Sequence, residues 1–247
     1  MLGIFRAYLR AAHSLLRPAV LLHFLWPVLL SAAAWLTAGY LWWDKLARVL
    51  AAFFRHHLPM LLAGRPDTEL ALGTALKLAL YLISIPLALS TALLLVELVA
   101  LPIILDQVAR TDYPRLEPRH GGSQWQSLRN TLFSSAVAAA VVVLSLPLWL
   151  VPGVGVVVSL ALSAWINYRS FRYDVLMKHA DTHEIEALPT AHRYRLLVMS
   201  LGAASLTLVP ILNLLAVAFA GLAFTHYLLH ALEGSRAQGA SSLARPS

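Results

Sequence analysis

Two proline-centred breaks in apolar sequence are the strongest candidates for chemistry in this chain. The first is Val-Pro-Gly-Val-Gly at 151–155, and the second is Leu-Thr-Leu-Val-Pro at 206–210, which echoes Leu-Trp-Leu-Val-Pro at 148–152. A helix that begins at such a break directs its free backbone N–H groups and its positive dipole end towards the break, where they favour an anion. The alternative is that these residues only form turns. The candidate residues at the two breaks are Pro152, Gly153, Gly155, Pro210 and Asn213.

Glu97 and two pairs of histidines are the other polar candidates. Glu97 interrupts an apolar run, and a carboxylate at membrane depth is costly unless it faces a partner or water. It therefore either couples protons or orders a pore, or it lies at the inner interface as a structural residue. The pairs are His179/His183 and His226/His230, each on one face if its segment is helical. The sequence places no third ligand beside either pair, so no metal site is predicted.

No sequence motif for catalysis or for nucleotide binding is present. The chain lacks Gly-x-Ser-x-Gly, a Walker loop, His-Glu-x-x-His and a dinucleotide fingerprint. It also has no cysteine, which removes disulfides, thiol chemistry and cysteine metal sites. We therefore expect neither an enzyme nor a cofactor.

The elements that must position the first break are apolar helices. Residues 130–168 carry no charged side chain, and as one helix they would be roughly 58 Å long against a hydrocarbon core of about 30 Å. The run must therefore turn back at 151–155. A second uncharged run, 196–232, surrounds Pro210. The shorter arms of the two hairpins, about 14 residues each, reach roughly 21 Å, which favours re-entrant hairpins over full crossings.

The rest of the chain predicts further membrane elements. Residues 2–17 are expected to form an amphipathic interfacial helix, because basic residues spaced by four and three lie opposite an apolar face. The apolar face comprises Ile4, Phe5, Tyr8, Leu9, Ala12, Leu15 and Leu16. A first span is expected over 18–43, an interfacial cap over 44–64 with a turn at 64–67, and a long helix from about Thr68 that Pro86 and Pro102 should kink. Residues 1–232 are expected to form a single domain. The tail, 233–247, is predicted to be disordered.

Composition places the chain in a lipid bilayer and orients it. It is 59% hydrophobic and 13% charged, whereas a soluble domain carries roughly 25% charged residues. The net charge of +7 comes from basic residues at the ends of apolar runs, so nucleic acid is not an expected partner. With the N-terminus inside, the inner segments hold fourteen of the nineteen lysines and arginines. This asymmetry predicts an inner-membrane protein with both termini in the cytoplasm.

Several short segments, in this order, resemble those of the CysZ sulfate-transporter family, which shares a domain with etoposide-induced protein 2.4. They are Glu97 to Pro102, Pro-Gly-Val-Gly at 152–155, Tyr-Asp at 173–174, Leu-Val-Pro-Ile-Leu-Asn-Leu at 208–214, and Thr225. The likeness runs over roughly residues 5–232. It implies two long membrane-spanning helices, two half-penetrating hairpins, an oligomer and sulfate uptake for cysteine synthesis.

One departure from the family affects the substrate. The family carries a sulfate-binding Gly-Leu-Arg motif at the start of the first span, where this chain reads Ala-Val-Leu-Leu at 19–22. Arg17, just before Pro18, is the nearest cation and joins Gly153, Gly155 and Asn213 as a candidate anion-binding residue.

We therefore expect an all-α integral membrane protein, with two long transmembrane helices, two re-entrant helical hairpins and an N-terminal amphipathic helix. Its predicted function is a permease for a small anion, sulfate by family default, built from several copies. The alternative is a membrane scaffold or biogenesis factor that keeps the fold without transporting.

Overall fold

The computed structural model describes residues 2–57 and 66–243, and these residues form only helices and connecting loops. They separate into two compact units: unit 1 comprises Met1–Leu21 and Leu101–Ser247, and unit 2 comprises Leu22–Ala100. The sequence predicted a single domain over residues 1–232, and this stays a prediction. The all-α class is confirmed, and in the described part of the chain five helices are long and apolar enough to cross a membrane.

Within the described residues, loops connect the helices and irregular helical turns occur at three places. The α-helices are α1 Leu2–Leu15, α2 Pro18–His57, α3 Pro66–Leu95, α4 Leu101–Asp112, α5 Gln124–Ser145, α6 Val154–Asp174, α7 Thr182–Ala191, α8 Arg193–Ser205 and α9 Pro210–Leu243. The irregular turns are a π-helical turn at Val96–Ala100 and 3₁₀ turns at Leu146–Leu150 and Leu206–Leu208.

In unit 2, α2 is longer than the predicted first span. It continues for 40 residues to His57, so the segment predicted as an interfacial cap is helical as far as the structure describes it. Leucine, alanine and arginine predominate after Asp44 and are good helix formers, which explains the continuation. Asp44 on α2 pairs with Lys77 on α3 at 2.6 Å. Of the predicted turn at 64–67, residues 64 and 65 lie outside the described residues, and Pro66 and Asp67 begin α3.

The second long helix contains a π-helical turn just before Pro102. Proline lacks an N–H group, and its ring collides with the carbonyl four residues earlier in a regular α-helix. The turn Val96–Ala100 adds a residue to the winding there, which is one of the standard ways in which a helix accommodates such a break. A long helix with an irregularity at Pro102 agrees with the prediction. Pro86, by contrast, lies inside α3 without interrupting it.

In unit 1, the first hairpin has longer arms than the uncharged run suggested. Its two helices, α5 and α6, have 22 and 21 residues, whereas about 14 were expected after the break. The run was counted to Tyr168, but the helix continues through Arg169 and Arg172 to Asp174. Arg169 remains in the helix because its Nε donates to Asn130 Oδ1 on α5 at 2.8 Å. In the second hairpin, α8 has 13 residues and α9 has 34.

The core of unit 1 is built around α9. Within its apolar stretch Leu215–Gln238, 72% of the residues in one 18-residue window are buried, and the helix contacts α1, α4, α6, α7 and α8. Small residues make this packing possible: a side-chain Cβ at Gly221 would lie 2.9 Å from Leu101. The fully buried residues of α9 are mostly alanine and leucine, with Phe224 the largest.

The C-terminal end of α9 is tied to α7 and to the preceding loop. Arg236 Nη2 donates to Glu184 Oε2 at 2.7 Å and to the carbonyl oxygen of His179 at 2.8 Å. The helix therefore continues to Leu243, through part of the segment for which the sequence predicted disorder. Residues 244–247 lie outside the described residues.

We predict that Gly202→Ala destabilises unit 1 by about 1–3 kcal/mol, as overpacking does. A Cβ at Gly202 would meet the hydroxyl of Tyr8, which donates to the carbonyl oxygen of Met199 at 2.6 Å. Burial raises the pKa of Tyr8 to about 12, so the hydroxyl is a neutral donor. Thermal unfolding of the purified protein in detergent measures the effect.

The control for this prediction is Gly73→Ala, because a Cβ at Gly73 meets nothing within 4 Å. It should stabilise α3 by roughly 0.5–1 kcal/mol. The cost of Gly202→Ala should shrink in a Tyr8→Phe background, since the clash is with the hydroxyl. An equal cost in both backgrounds would contradict the packing argument.

We also predict that acid weakens the attachment of α9 through Glu184. The hydrogen bond from Arg236 holds the pKa of Glu184 below its usual range. A carboxyl group with a lowered folded pKa contributes stability above its unfolded value, about 4.3, and loses it as the pH falls through the folded pKa. The protection of amides at the end of α9, taken as the exchange rate relative to the intrinsic rate at each pH, should therefore fall below about pH 5 in the native protein.

Glu184→Gln should exchange faster at neutral pH and depend less on pH in the same window. Glu186→Gln, at an exposed position of the same helix, is the matched control and should behave like the native protein. Equal pH profiles for the native protein and Glu184→Gln would show that Glu184 is not responsible.

Candidate functional site

A pocket of about 440 Å³ lies at the C-terminal end of α1, within unit 1, and contains the predicted residue Arg17. We call it the Arg17 pocket. Its polar lining residues are Arg10, His13, Ser14, Arg17, Asp112, Tyr113 and His226.

The spacing of residues along α1 places these groups in the pocket. Arg10, His13, Ser14 and Arg17 recur at intervals of three and four, so they share one side of the chain as it leaves the helix. The helix ends at Leu15, because the residue before a proline is disfavoured in the α conformation and Arg17 precedes Pro18. The end of α1 therefore holds Arg17 at the pocket rather than one turn further along a helix.

The face of α1 that packs inward differs from the one expected. Its buried residues are small or medium: Ile4, Ala7, Ala11, Ser14 and Leu15. The bulky residues Phe5, Leu9 and Leu16 are exposed, although the sequence grouped them with Ile4 and Leu15 as one apolar face. Close packing against α9 selects small side chains, and this leaves the large ones for the surrounding solvent or lipid.

Arg17 is held in the pocket by an ion pair. Its Nη1 donates to Asp112 Oδ1 at 2.9 Å, and the two side chains are 32% and 20% exposed. Partial burial makes the pair stronger than a surface salt bridge, and the carboxylate also compensates part of the positive charge. Arg10 is exposed at the same pocket. Two guanidinium groups therefore face one carboxylate, which leaves the pocket positive.

A buried polar network extends from Asp112 into the core. His226 Nε2 lies 2.9 Å from Ser14 Oγ and 3.8 Å from Asp112 Oδ2. Tyr113 donates its hydroxyl to the carbonyl oxygen of His226 at 2.9 Å. Burial raises the pKa of Tyr113, against a smaller lowering by Arg10, so the hydroxyl remains a neutral donor.

This network does not have the geometry of a nucleophilic triad, although it contains a serine, a histidine and an aspartate. In a triad the serine and the carboxylate contact opposite ring nitrogens of the histidine. Here Ser14 and Asp112 both approach Nε2, and Asp112 is also held by Arg17. The arrangement fits a positively charged binding pocket, whose lining side chains are held by hydrogen bonds, better than a catalytic site.

The first hairpin tip has the backbone geometry of a tight turn. Gly153 has φ = 84°, in the left-handed region that favours glycine, and Pro152 beside it is exposed. A Cβ at Gly155 would lie 3.2 Å from the Trp149 ring, so that glycine accommodates the indole. The backbone N–H of Val154 already donates to Val151 at 3.2 Å. Turn formation thus explains both glycines, and neither lines the Arg17 pocket.

The remaining candidates lie elsewhere. Pro210 opens α9 and Asn213 lies in its first turn, but both side chains fall outside the described ones. Glu97 lies in the π-helical turn of unit 2 with its side chain exposed. The structure therefore does not bring Arg17 and the first-tip glycines into one pocket.

The histidine pairs do not form metal sites in the part of the chain that the structure describes. No group of three or more histidine, aspartate or glutamate side chains there is arranged to hold a metal ion. His179 and His183 are separated by the start of α7 at Thr182, so they do not share a helical face. His226 and His230 both lie on α9, but His226 bonds to Ser14 instead.

The sequence did not single out five polar members of the Arg17 pocket: Arg10, His13, Ser14, Asp112 and Tyr113. Ser14 belonged to an amphipathic pattern and carried no signal of its own. Asp112 and Tyr113 lay in a polar connector rich in proline and glycine, where charged residues are expected in any case. Only the packing of α1 and α4 against α9 brings them to His226.

Comparisons with known proteins yielded one match, to a protein family. Searches of curated proteins and of solved structures each gave no significant match. A family model described as sulfate transporter CysZ/etoposide-induced protein 2.4 matches residues 7–218. The match covers most of the chain and confirms the resemblance seen in its segments. This membrane protein therefore belongs to the sulfate transporter CysZ/etoposide-induced protein 2.4 family.

Proposed function

We propose that this protein is an inner-membrane permease for a small anion, with sulfate the first substrate to test. Membership in a family whose description includes a sulfate transporter supports the transport of an anion. The apolar helices support a multi-pass location in the bilayer. The charge asymmetry of the sequence favours cytoplasmic termini. We further propose that the protein acts as a homo-oligomer without a cofactor.

The observation that carries this proposal is the Arg17 pocket. A half-buried guanidinium is oriented by Asp112, and Arg10 lies at the same pocket. Arginine presents several donors in a rigid fork, which suits the oxygen atoms of a small oxyanion. Because Asp112 compensates part of the charge, an anion would bind without being retained too tightly. Conduction needs such intermediate affinity, since the ion must also leave.

A scaffold or biogenesis function remains the second candidate, and one observation favours it. Arg17 already has a carboxylate partner in Asp112, and the family's Gly-Leu-Arg motif is replaced by Ala-Val-Leu at 19–21. In that case the ion pair would serve only to attach α1 to α4. A scaffold would pass no sulfate in any variant, which separates the two candidates.

We propose that both hairpins are re-entrant and that their tips lie at membrane depth. The sequence offers no charge at either tip, and the returning helix of each begins there. The 21 residues of α6 are enough for a full crossing by length, so arm length alone no longer separates the alternatives. The tips Gly153, Gly155 and Asn213 remain proposed anion contacts under this topology.

We predict that proteoliposomes carrying the purified protein take up radiolabelled sulfate faster than empty vesicles do. Arg17→Ala should lower the rate at least about tenfold, because it removes a charge-assisted hydrogen bond worth roughly 1.5–3 kcal/mol. Arg17→Lys should retain part of the sulfate flux, since the positive charge remains but the planar guanidinium with its several donors is lost. Arg6→Gln, which removes an exposed charge on α1 that does not line the pocket, is the matched control.

Asp112→Asn tests whether the carboxylate of Asp112 competes with the anion for Arg17. If Arg17 binds the anion, removing the competing carboxylate should lower the sulfate concentration that half-saturates uptake. Absence of sulfate flux in the native protein would overturn the permease proposal. Flux that is unchanged in Arg17→Ala would remove Arg17 from the path.

We predict that single cysteines at the hairpin tips resist a membrane-impermeant thiol reagent added from outside. The native chain has no cysteine, so no background labelling interferes. Val151→Cys reports the first tip without straining the left-handed Gly153, and Asn213→Cys reports the second. Arg65→Cys, in the loop that the sequence assigns to the outside, is the reactive control. Labelling of both tips as fast as the control would favour full crossings.

A further inference from the structure

A second cavity in unit 1, of about 630 Å³, lies between α5, α6 and α7. We call it the hairpin-base pocket. Three guanidinium groups line it, those of Arg129, Arg169 and Arg172, and Glu186 contributes the one carboxylate among its described lining residues. The net charge of the pocket is therefore positive. Neither Arg17 nor the glycines of the first hairpin tip line it.

Neutral groups, not carboxylates, orient two of the three arginines. Arg169 Nε donates to Asn130 Oδ1 at 2.8 Å, and its guanidinium lies 4.6 Å from the Phe133 ring centroid. Arg172 Nη1 donates to the hydroxyl of Tyr168 at 3.0 Å and lies 4.8 Å from that ring. Both guanidiniums are thus held in place while their charge remains uncompensated.

This pattern differs from that of other arginines in unit 1. Arg119 pairs with Asp181 at 3.1 Å, and Arg236 pairs with Glu184 at 2.7 Å. Among the residues that the structure describes, none of the three arginines of the hairpin-base pocket has an ion pair with a carboxylate. Asp174, the acidic residue closest to them along α6, accepts a hydrogen bond from Ser127 instead. Charge neutrality at this pocket therefore calls for an external anion.

Apolar residues beside the pocket indicate what that anion is attached to. The outer face of α5 exposes Leu128, Leu132 and Phe133, and Trp125 near its start is 71% exposed. Exposed tryptophan beside exposed leucine and phenylalanine is typical of the boundary between headgroups and acyl chains. The three arginines lie where the charge-free run ends, which is the level at which phosphate groups occur.

We propose that the hairpin-base pocket binds the phosphate group of an anionic glycerophospholipid, with the acyl chains on the exposed face of α5. The lipid anchors the base of the first hairpin by joining α5, α6 and α7. This site is distinct from the Arg17 pocket and does not depend on whether the protein transports sulfate. Glu186 disfavours a second negative group nearby and leaves room for one phosphate.

The test is native mass spectrometry of the full-length protein in detergent, titrated separately with phosphatidylglycerol, phosphatidylethanolamine and phosphatidylcholine. Phosphatidylglycerol should bind preferentially. Arg129→Gln/Arg172→Gln should lower its affinity by about thirtyfold, the change expected for two basic residues at an anionic lipid surface. Arg193→Gln/Arg195→Gln removes the same charge from exposed positions of α8 outside the pocket and should leave the affinity unchanged.

Two further measurements keep the proposal testable if the charge variant does not fold. Arg129→Lys/Arg172→Lys should restore most of the binding, because the positive charge persists. Thr190→Trp keeps every charge and places a large side chain in the pocket, at an exposed position of α7. It should lower phosphatidylglycerol binding as well.

Three outcomes would overturn the proposal. Equal losses in the pocket variant and in the α8 control would show that general surface charge attracts the lipid. Equal binding of the three lipids would remove the preference for an anionic headgroup. Inorganic phosphate or sulfate that binds at micromolar concentration without lipid, measured by calorimetry, and is lost in the pocket variant would show a site for a free anion.

Discussion

The close packing of α9 is the interaction on which the structure of unit 1 depends. Lipid is as apolar as the side chains, so helices in a membrane associate through close contact and hydrogen bonding more than through the hydrophobic effect. The alanines and Gly221 of α9 allow neighbouring helices to approach, as the 2.9 Å separation between Leu101 and a Cβ at Gly221 indicates. α1, α4, α6, α7 and α8 all contact this helix. The Arg17 pocket forms because α1 and α4 meet there.

Packing in this core supplies hydrogen-bond partners for the buried side chain of His226. His226 is 2% exposed and contacts Ser14 on α1 and Tyr113, the residue that follows α4. A buried polar group without a partner costs free energy, so such contacts hold the three helices in one register. The capping box of Asp181 and Glu184 acts similarly at the start of α7, because Glu184 also accepts from Arg236.

The two positively charged pockets differ in how their arginines are oriented. A carboxylate holds Arg17 and weakens its attraction for an anion, which suits a ligand that must leave again. An amide and two aromatic rings hold Arg169 and leave its charge intact, which suits a ligand that stays. Under the two proposals, the neighbouring side chain decides whether an arginine binds a transient or a permanent anion.

The sequence by itself determined the membrane class, the long apolar helices, the breaks at Pro152 and Pro210, and the family. These depend on composition and on local rules for proline and glycine, which act within a few residues. It could place Arg17 beside Pro18 but not its partner Asp112, 95 residues away. The sequence predicted that the returning helix ends at Tyr168, where the uncharged run ends. Nothing in the neighbouring sequence shows that Asn130 and aromatic rings stabilise Arg169 within α6. Only the tertiary structure decided which charges are compensated, because that depends on which helices α9 brings together.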